Sequence, residues 1–223
     1  MTVSVFEMTV SECGSRKEAA ESDLARSVFV ELLLTFLFVF VGVGAAMTAE
    51  KMEGGQVSIM GLMAAVAAAA LLVPMMVAVG LDVSAGHVNP AVTIGFAIGG
   101  HVTALRCALY VTVQLMGSSM ACLLLEYITG GELETLVPAL GPGVSPLQGV
   151  IMELVLTFSI VFCVYAVVDP GHSVVSGIGP LLVGLVVGAN ALAGAPFSGA
   201  SMNPARSFGP SLVSWNWTNH WVY

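Results

Sequence analysis

The sequence predicts an all-α membrane protein made of two inverted repeats, each holding a short re-entrant helix that ends inside the bilayer. Three observations carry that expectation. The chain of 223 residues is 57% hydrophobic and 9% charged, with a mean hydropathy of +0.95, whereas soluble domains carry about a quarter charged residues. The tripeptide Asn-Pro-Ala occurs twice, at Asn89-Pro90-Ala91 and Asn203-Pro204-Ala205, each with a Ser five residues before the Asn and a Gly (Gly95, Gly209) six residues after it. Glu31-Leu-Leu-Leu-Thr35-Phe36 is echoed by Glu153-Leu-Val-Leu-Thr157-Phe158, and Glu precedes Asn by 58 residues in one copy and 50 in the other.

Taken in order, residues 1–26 read as a polar tail with Arg16, Lys17 and Arg26 and no cleavable leader. The first span is expected at about Val28–Met47, with Glu31 its one charge, and the turn Glu50-Lys51-Met52-Glu53-Gly54-Gly55 leads to a second at about Met60–Val79. A re-entrant segment, Asp82–Gly100, precedes the third span, about Leu105–Leu125. A loop from Thr129 to Gln148 carries Glu132, Glu134 and three prolines. The fourth span is placed at about Val150–Val168 and, after Asp169-Pro170-Gly171-His172, the fifth at about Val174–Leu192. Each apolar run is 19 to 21 residues long, enough for a tilted crossing.

Each Asn is a preferred N-cap and each Pro suits a first helical position, so both boxes read as helix starts. The helical stretch after each box is short, Ala91 to Ile98 and Ala205 to about Leu212, far below the ~20 residues that cross a bilayer. Half-length helices in a membranous chain belong where backbone lines a cavity. Three spans separate Glu31 from Glu153, an odd number, so the copies run in opposite directions and the working site falls near the midplane. The first repeat (about 27–128) has three spans and the second (about 150–223) two, so a sixth span is expected to be missing and the chain reads as truncated. Arg16, Lys17, Arg26 and Arg106 against Lys51 put the N-terminus in the cytosol by the positive-inside rule.

These features resemble the aquaporin (major intrinsic protein) family: the paired boxes, the two Glu-x-x-x-Thr-Phe spans and Asn203-Pro-Ala-Arg206-Ser-Phe-Gly. Gly188-Ala-Asn190-Ala, Gly86-His-Val-Asn-Pro-Ala-Val-Thr and the frame from Ser198 are similar to the plant tonoplast intrinsic proteins within it. The resemblance covers residues 27–223 and implies a right-handed helical bundle, a passive pore for water and small neutral solutes, a homotetramer in lipid and residence in the vacuolar membrane. It also implies a filter of Ala69, Ala191, Ala200 and Arg206. Ala69, 20 residues before Asn89, stands where these relatives carry a His. Ala191, 12 before Asn203, stands where they commonly carry Ile. Leu140 takes the place of a loop His, and Ala200 that of a Cys through which mercurials block some relatives. Such a filter is wide, with one polar wall, and should admit urea, glycerol, ammonia or hydrogen peroxide. The alternative is that Leu71, Leu72 or Met75 folds in and fills the space.

The residues themselves suggest the mechanism. If each Asn caps through its side-chain oxygen, its amide NH₂ stays free to donate to a passing water, and the positive ends of two half-helices repel cations there. Arg206 is an intramembrane cation, functional by default; its bland alternative is an ion pair with Glu126 or Glu153. Glu31 and Glu153 could be proton relays, but their symmetry favours acceptors for the re-entrant loops' N–H groups. His87 is expected to tie its loop together rather than sense pH, and His101 and His172 to be solvated. Gly184-x-x-x-Gly188 and Gly95-x-x-x-Gly99 suit close helix packing. Asn216-Trp217-Thr218 matches a glycosylation acceptor but lies too near the membrane for modification to be expected.

Other classes find little support. Six Lys plus Arg and a net charge of −8 give no basic patch for nucleic acid. Cys13, Cys107, Cys122 and Cys163 form no CxxC pair, so neither a disulfide framework nor a metal site is expected. No nucleophile–base pair, cofactor motif or phosphate-binding loop points to an enzyme. The rival readings are a secondary transporter, which also uses inverted repeats and broken helices, and a truncated, non-conducting product.

Overall fold

A computed structural model describes residues 22–52, 59–131, 137–168 and 178–223. Arg16, Lys17, Cys13, Glu132, Glu134 and the Asp169–His172 turn lie outside the described residues. Seven α-helices occur among those described: α1 Ser22–Met52, α2 Ile59–Gly80, α3 Pro90–Ile98, α4 Ala104–Thr129, α5 Pro146–Val168, α6 Gly179–Ser198 and α7 Pro204–Ser214, followed by a 3₁₀ turn at His220–Val222. Five of them (α1, α2, α4, α5, α6) are long and apolar enough to cross a membrane, and α3 and α7, of 9 and 11 residues, are not.

The helix ends depart from the sequence reading where hydropathy is silent. Helix α1 starts at Ser22, ahead of the expected Val28, so Arg26 is helical rather than part of a tail; Asp23 in the first turn suits the positive helix end. It also continues through Lys51, which hydropathy assigns to a turn. Helix α5 is opened by a capping box: Ser145 N–H donates to Gln148 Oε1 at 2.8 Å, Gln148 N–H donates back to Ser145 Oγ at 3.4 Å, and Pro146 takes the first position. The fifth span runs Gly179–Ser198, several residues later than the expected Val174–Leu192. Pro180 fixes its start, and its end waits for Gly199, whose φ of 79° supplies the left-handed C-cap. The apolar window closes too early because Gly194, Pro196 and Ser198 dilute hydropathy without stopping the helix.

Neighbouring helices follow the order α4, α1, α2, α6, α5 around the bundle. The half-helices complete the wall, α7 against α4 and α3 against both α4 and α5. Large side chains such as Phe29, Leu33, Leu71, Leu154 and Phe162 point outward, as expected of a surface solvated by lipid. Close approach depends on small residues. A Cβ on Gly184 would strike Pro74 and Ala70 O, and one on Gly188 would strike Ala70, so α2 and α6 meet backbone to backbone. A Cβ on Gly95 would press on Val161, and one on Gly99 on Tyr165, joining α3 to α5. Both Gly-x-x-x-Gly pairs thus act in packing. At the entry of α4, Thr103 caps Arg106 N–H at 3.2 Å, and the Arg106 guanidinium reaches Ser27 Oγ on α1 at 3.3 Å.

Candidate functional site: the junction of two half-helices

The two Asn-Pro-Ala boxes meet tip to tip. Asn89 Oδ1 accepts from Ala91 N–H at 2.9 Å, and Asn203 Oδ1 accepts from Ala205 N–H at 2.9 Å and Arg206 N–H at 3.3 Å. Both are therefore N-caps, with prolines at the first helical position. The amide nitrogens then cross over: Asn89 Nδ2 donates to Met202 O at 2.8 Å, and Asn203 Nδ2 donates to Val88 O at 2.9 Å. This corrects the expectation of wholly free amide groups. One hydrogen of each NH₂ locks the opposite loop, and one remains to donate elsewhere.

The loops that deliver these caps repeat the same pattern of positive φ angles. Ala85, Gly86 and Val88 have φ of 69°, 61° and 53°; Gly199, Ala200 and Met202 have φ of 79°, 46° and 54°. These are the fourth, third and first residues before each Asn. A β-branched residue in the left-handed region, such as Val88, costs about 1–3 kcal/mol and must be held by its surroundings. The holding groups are the two intramembrane carboxylates. Glu31 accepts from Ser84 Oγ (2.7 Å), His87 N–H (2.9 Å), Val88 N–H (2.8 Å) and Gln114 Nε2 (2.8 Å). Glu153 accepts from Ser198 Oγ (2.6 Å), Ser201 N–H (3.0 Å) and Met202 N–H (2.7 Å). Both are buried, and their oxygens are committed to loop donors.

His87 belongs to the same scaffold. Its Nδ1 lies 3.1 Å from Thr93 Oγ1, its ring stacks on Phe96 with centroids 4.7 Å apart, and Tyr110 meets it edge-on. His101 is exposed, as expected of a loop residue, although its ring also packs edge-on against Phe96 and Tyr165. His172 lies outside the described residues. Gln114, which bridges Glu31 and Thr93, escapes the sequence reading. A lone amide in the middle of an apolar span is the signal that could have found it.

Beside the junction runs one cavity of about 180 Å³. Its lining extends along α2 from Leu62 to Val77, roughly 22 Å of helix by rise per residue. Asn89 and Asn203 both line it, together with Ala69, Ala191, Ala200 and Arg206. The six positions picked from the sequence as box caps and filter therefore share one space, and Pro90, Ala91, Pro204 and Ala205 form the first turns behind the caps. Leu140 is absent from the lining; it packs over Gly149. Leu71 and Met75 are 63% and 54% exposed on the outer face of α2, and Leu72 packs into the core between α1 and α4, so none of them refills the space left by three alanines.

Arg206 is the only permanently charged side chain among the described residues lining the cavity. Its Nη1 is buried and has no hydrogen-bond partner among the described residues. Glu153 attracts it electrostatically, but that carboxylate's oxygens are taken by the loop. A buried donor without a partner costs about 1–3 kcal/mol, which an oxygen in the cavity would recover.

None of Cys107, Cys122 and Cys163 lines the cavity, Cys122 is fully buried, and Ala200 carries no thiol. Water flux is accordingly expected to survive mercurial treatment, measured as osmotic shrinkage of proteoliposomes before and after the reagent. A rapid block relieved by changing one of these cysteines to Ser would place a thiol in the pore.

The sequence profile of the major intrinsic protein family matches residues 18–223. Aquaporin TIP4-4 of Zea mays is 58% identical over 212 residues, covering 94% of this chain and 84% of that protein. Aquaporin TIP4-1 of Arabidopsis thaliana is 54% identical over 95% of this chain and 84% of its own length, and Aquaporin TIP1-1 of the same plant 47% identical over 94% and 84%. Among solved structures, the aquaglyceroporin from Plasmodium falciparum superposes with a TM-score of 0.77 over 89% of this chain and 88% of that one, at 22% identity, a likeness of fold.

Proposed function

The chain belongs to the major intrinsic protein family of membrane channels, and from that premise we propose that it is a passive pore for water and small neutral solutes that excludes protons and cations at the Asn89–Asn203 junction. The carrying observation is the reciprocal pair of hydrogen bonds that sets the two caps together on the wall of one cavity. Each cap keeps one N–H, so a water passing the junction accepts from both and cannot there line up as a donor to each neighbour. The positive ends of α3 and α7 converge at the same point, each equivalent to roughly half an elementary charge. With the Arg206 guanidinium on the same wall, hydronium and metal cations meet positive potential from two sources.

Ala69, Ala191, Ala200 and Arg206 act in this reading as a wide filter: three methyl groups and one donor that hydrogen-bonds a solute oxygen. Urea, glycerol, ammonia and hydrogen peroxide are the solutes proposed. The vacuolar membrane accords with the tonoplast-type relatives and a cytosolic N-terminus with the placement of basic residues, and a homotetramer is proposed from the family resemblance alone.

A secondary transporter would need carboxylates facing its substrate to hold a coupling ion. Both intramembrane glutamates instead accept hydrogen bonds from the re-entrant loops, and neither lines the cavity. Flux in proteoliposomes is therefore expected to rise linearly with the osmotic or solute gradient and to be indifferent to sodium and to pH gradients. Saturation together with a requirement for an ion gradient would overturn the channel reading.

A further inference from the structure

The alanine filter has a glycine neighbour whose role only the three-dimensional packing reveals. Gly42 of α1 lines the same cavity, in a face that also presents Phe38, Val39, Val43 and Ala46. A Cβ built on Gly42 would meet, among the described residues and beyond its own helix backbone, no atom within 4 Å. Several glycines of the other transmembrane helices behave differently: Gly117, Gly184, Gly188 and Gly194 are pressed against neighbouring helices or loops. Gly42 is thus not there for packing, and the cavity reaches the α1 backbone at this point.

Its height in the pore follows from the pairing of α1 with α2. Leu34 of α1 touches Gly80 of α2, since a Cβ on Gly80 would collide with the Leu34 side chain. Counted from that contact, Gly42 lies roughly 12 Å up the antiparallel pair, Ala69 roughly 16 Å and Ala46 roughly 18 Å. In height Ala69 therefore falls between Gly42 and Ala46, which offer a hydrogen and a methyl group; Val43, between the same two, is buried in the core cluster with Leu72 and Cys122. The buried Arg206 Nη1, which lacks a partner among the described residues, belongs to the lining of the same cavity. One wall donates hydrogen bonds and α1 leaves room for carbon.

We propose that Gly42 is a size-determining residue of this pore, a wall of the filter at which the bulk of a neutral solute broader than water passes against bare helix backbone. The solutes concerned are small polyols and amides of glycerol and urea size. A side chain here would stand in the lumen itself, because no other described residue occupies that volume. The proposal rests on the wide-filter reading, but it assigns the width to α1 as well as to the missing imidazole at Ala69.

The test uses the full chain in proteoliposomes, with water and glycerol permeabilities followed by stopped-flow light scattering. Gly42→Ala should reduce glycerol flux several-fold and Gly42→Val by about tenfold or more, since one added methylene in a fitted apolar site discriminates by about 10- to 200-fold. Water flux should stay within about twofold, as a single file needs less width. Leu37→Phe, which adds bulk on the outward face of α1 where Leu37 is 43% exposed, should change neither. A Gly42→Cys variant gives a second readout: N-ethylmaleimide should label it and stop its glycerol flux while leaving the unsubstituted protein conducting. Unchanged glycerol flux in Gly42→Val would overturn the proposal, as would a thiol in Gly42→Cys that resists labelling or is labelled without loss of flux. If the unsubstituted chain passes water and no glycerol, the wide-filter reading fails instead; labelling of the Gly42→Cys thiol still decides whether the lumen reaches α1.

Discussion

Ala69→His is expected to lower glycerol and urea permeability by about tenfold or more while changing water permeability by no more than about twofold. Position 69 lines the cavity and contributes only a methyl group, with Val66 and Val73 about one helical turn to either side. An imidazole adds five heavy atoms and a hydrogen-bonding nitrogen to a space now bounded by Ala191, Ala200, Gly42 and the Arg206 guanidinium. A broad solute loses the clearance it needs; water, small and able to bond both imidazole and guanidinium, keeps its path. Neighbouring side chains offer no compensating retreat, since Leu71 and Met75 already face outward and Leu72 is held in the core. Stopped-flow measurements on matched amounts of reconstituted protein decide the matter, and equal solute fluxes in the two proteins would remove the wide filter from the account.

The features legible in the sequence and those hidden from it divide along physical lines. Composition and the duplicated frames suffice for the spans, the half-helices and the inverted relation of the halves, because burial in lipid and helix capping are local demands written in residue types. The roles of Glu31 and Glu153 as loop acceptors follow from their symmetry and match six hydrogen bonds from Ser84, His87, Val88, Ser198, Ser201 and Met202, with a seventh to Glu31 from Gln114 of α4. Three things are hidden. The end of α6 depends on a left-handed glycine rather than on hydropathy. The cross-loop bonds from Asn89 to Met202 and from Asn203 to Val88 join residues more than a hundred positions apart, which no local pattern encodes. Gly42 looks in sequence like any packing glycine of a membrane helix; only the empty volume around it shows otherwise.

Removing Glu31 should have the largest effect on the folded state. In Glu31→Ala, the N–H groups of His87 and Val88, the hydroxyl of Ser84 and the amide of Gln114 lose a shared acceptor in a buried site. Each stranded donor costs about 1–3 kcal/mol, so the sum rivals the ~5–15 kcal/mol that holds a typical domain folded. The loop also loses what holds Val88 at a φ of 53°, and with it the carbonyl that receives Asn203 Nδ2. Damage on one side of the junction should therefore loosen both caps. Glu31→Gln keeps one acceptor oxygen but turns an N–H donor toward other donors, so an intermediate loss is expected. Glu153→Ala should be milder than Glu31→Ala, because three donors rather than four are stranded. Thermal unfolding of detergent-purified protein gives the ranking. Water flux per correctly inserted molecule separates this role from a proton relay. A scaffold residue changed to Gln leaves flux in the surviving molecules near that of the unsubstituted protein, with no dependence on a pH gradient. A relay would leave the melting temperature in place and abolish a proton-driven component, and that pattern would require Glu31 to be moved from the scaffold into the transport path.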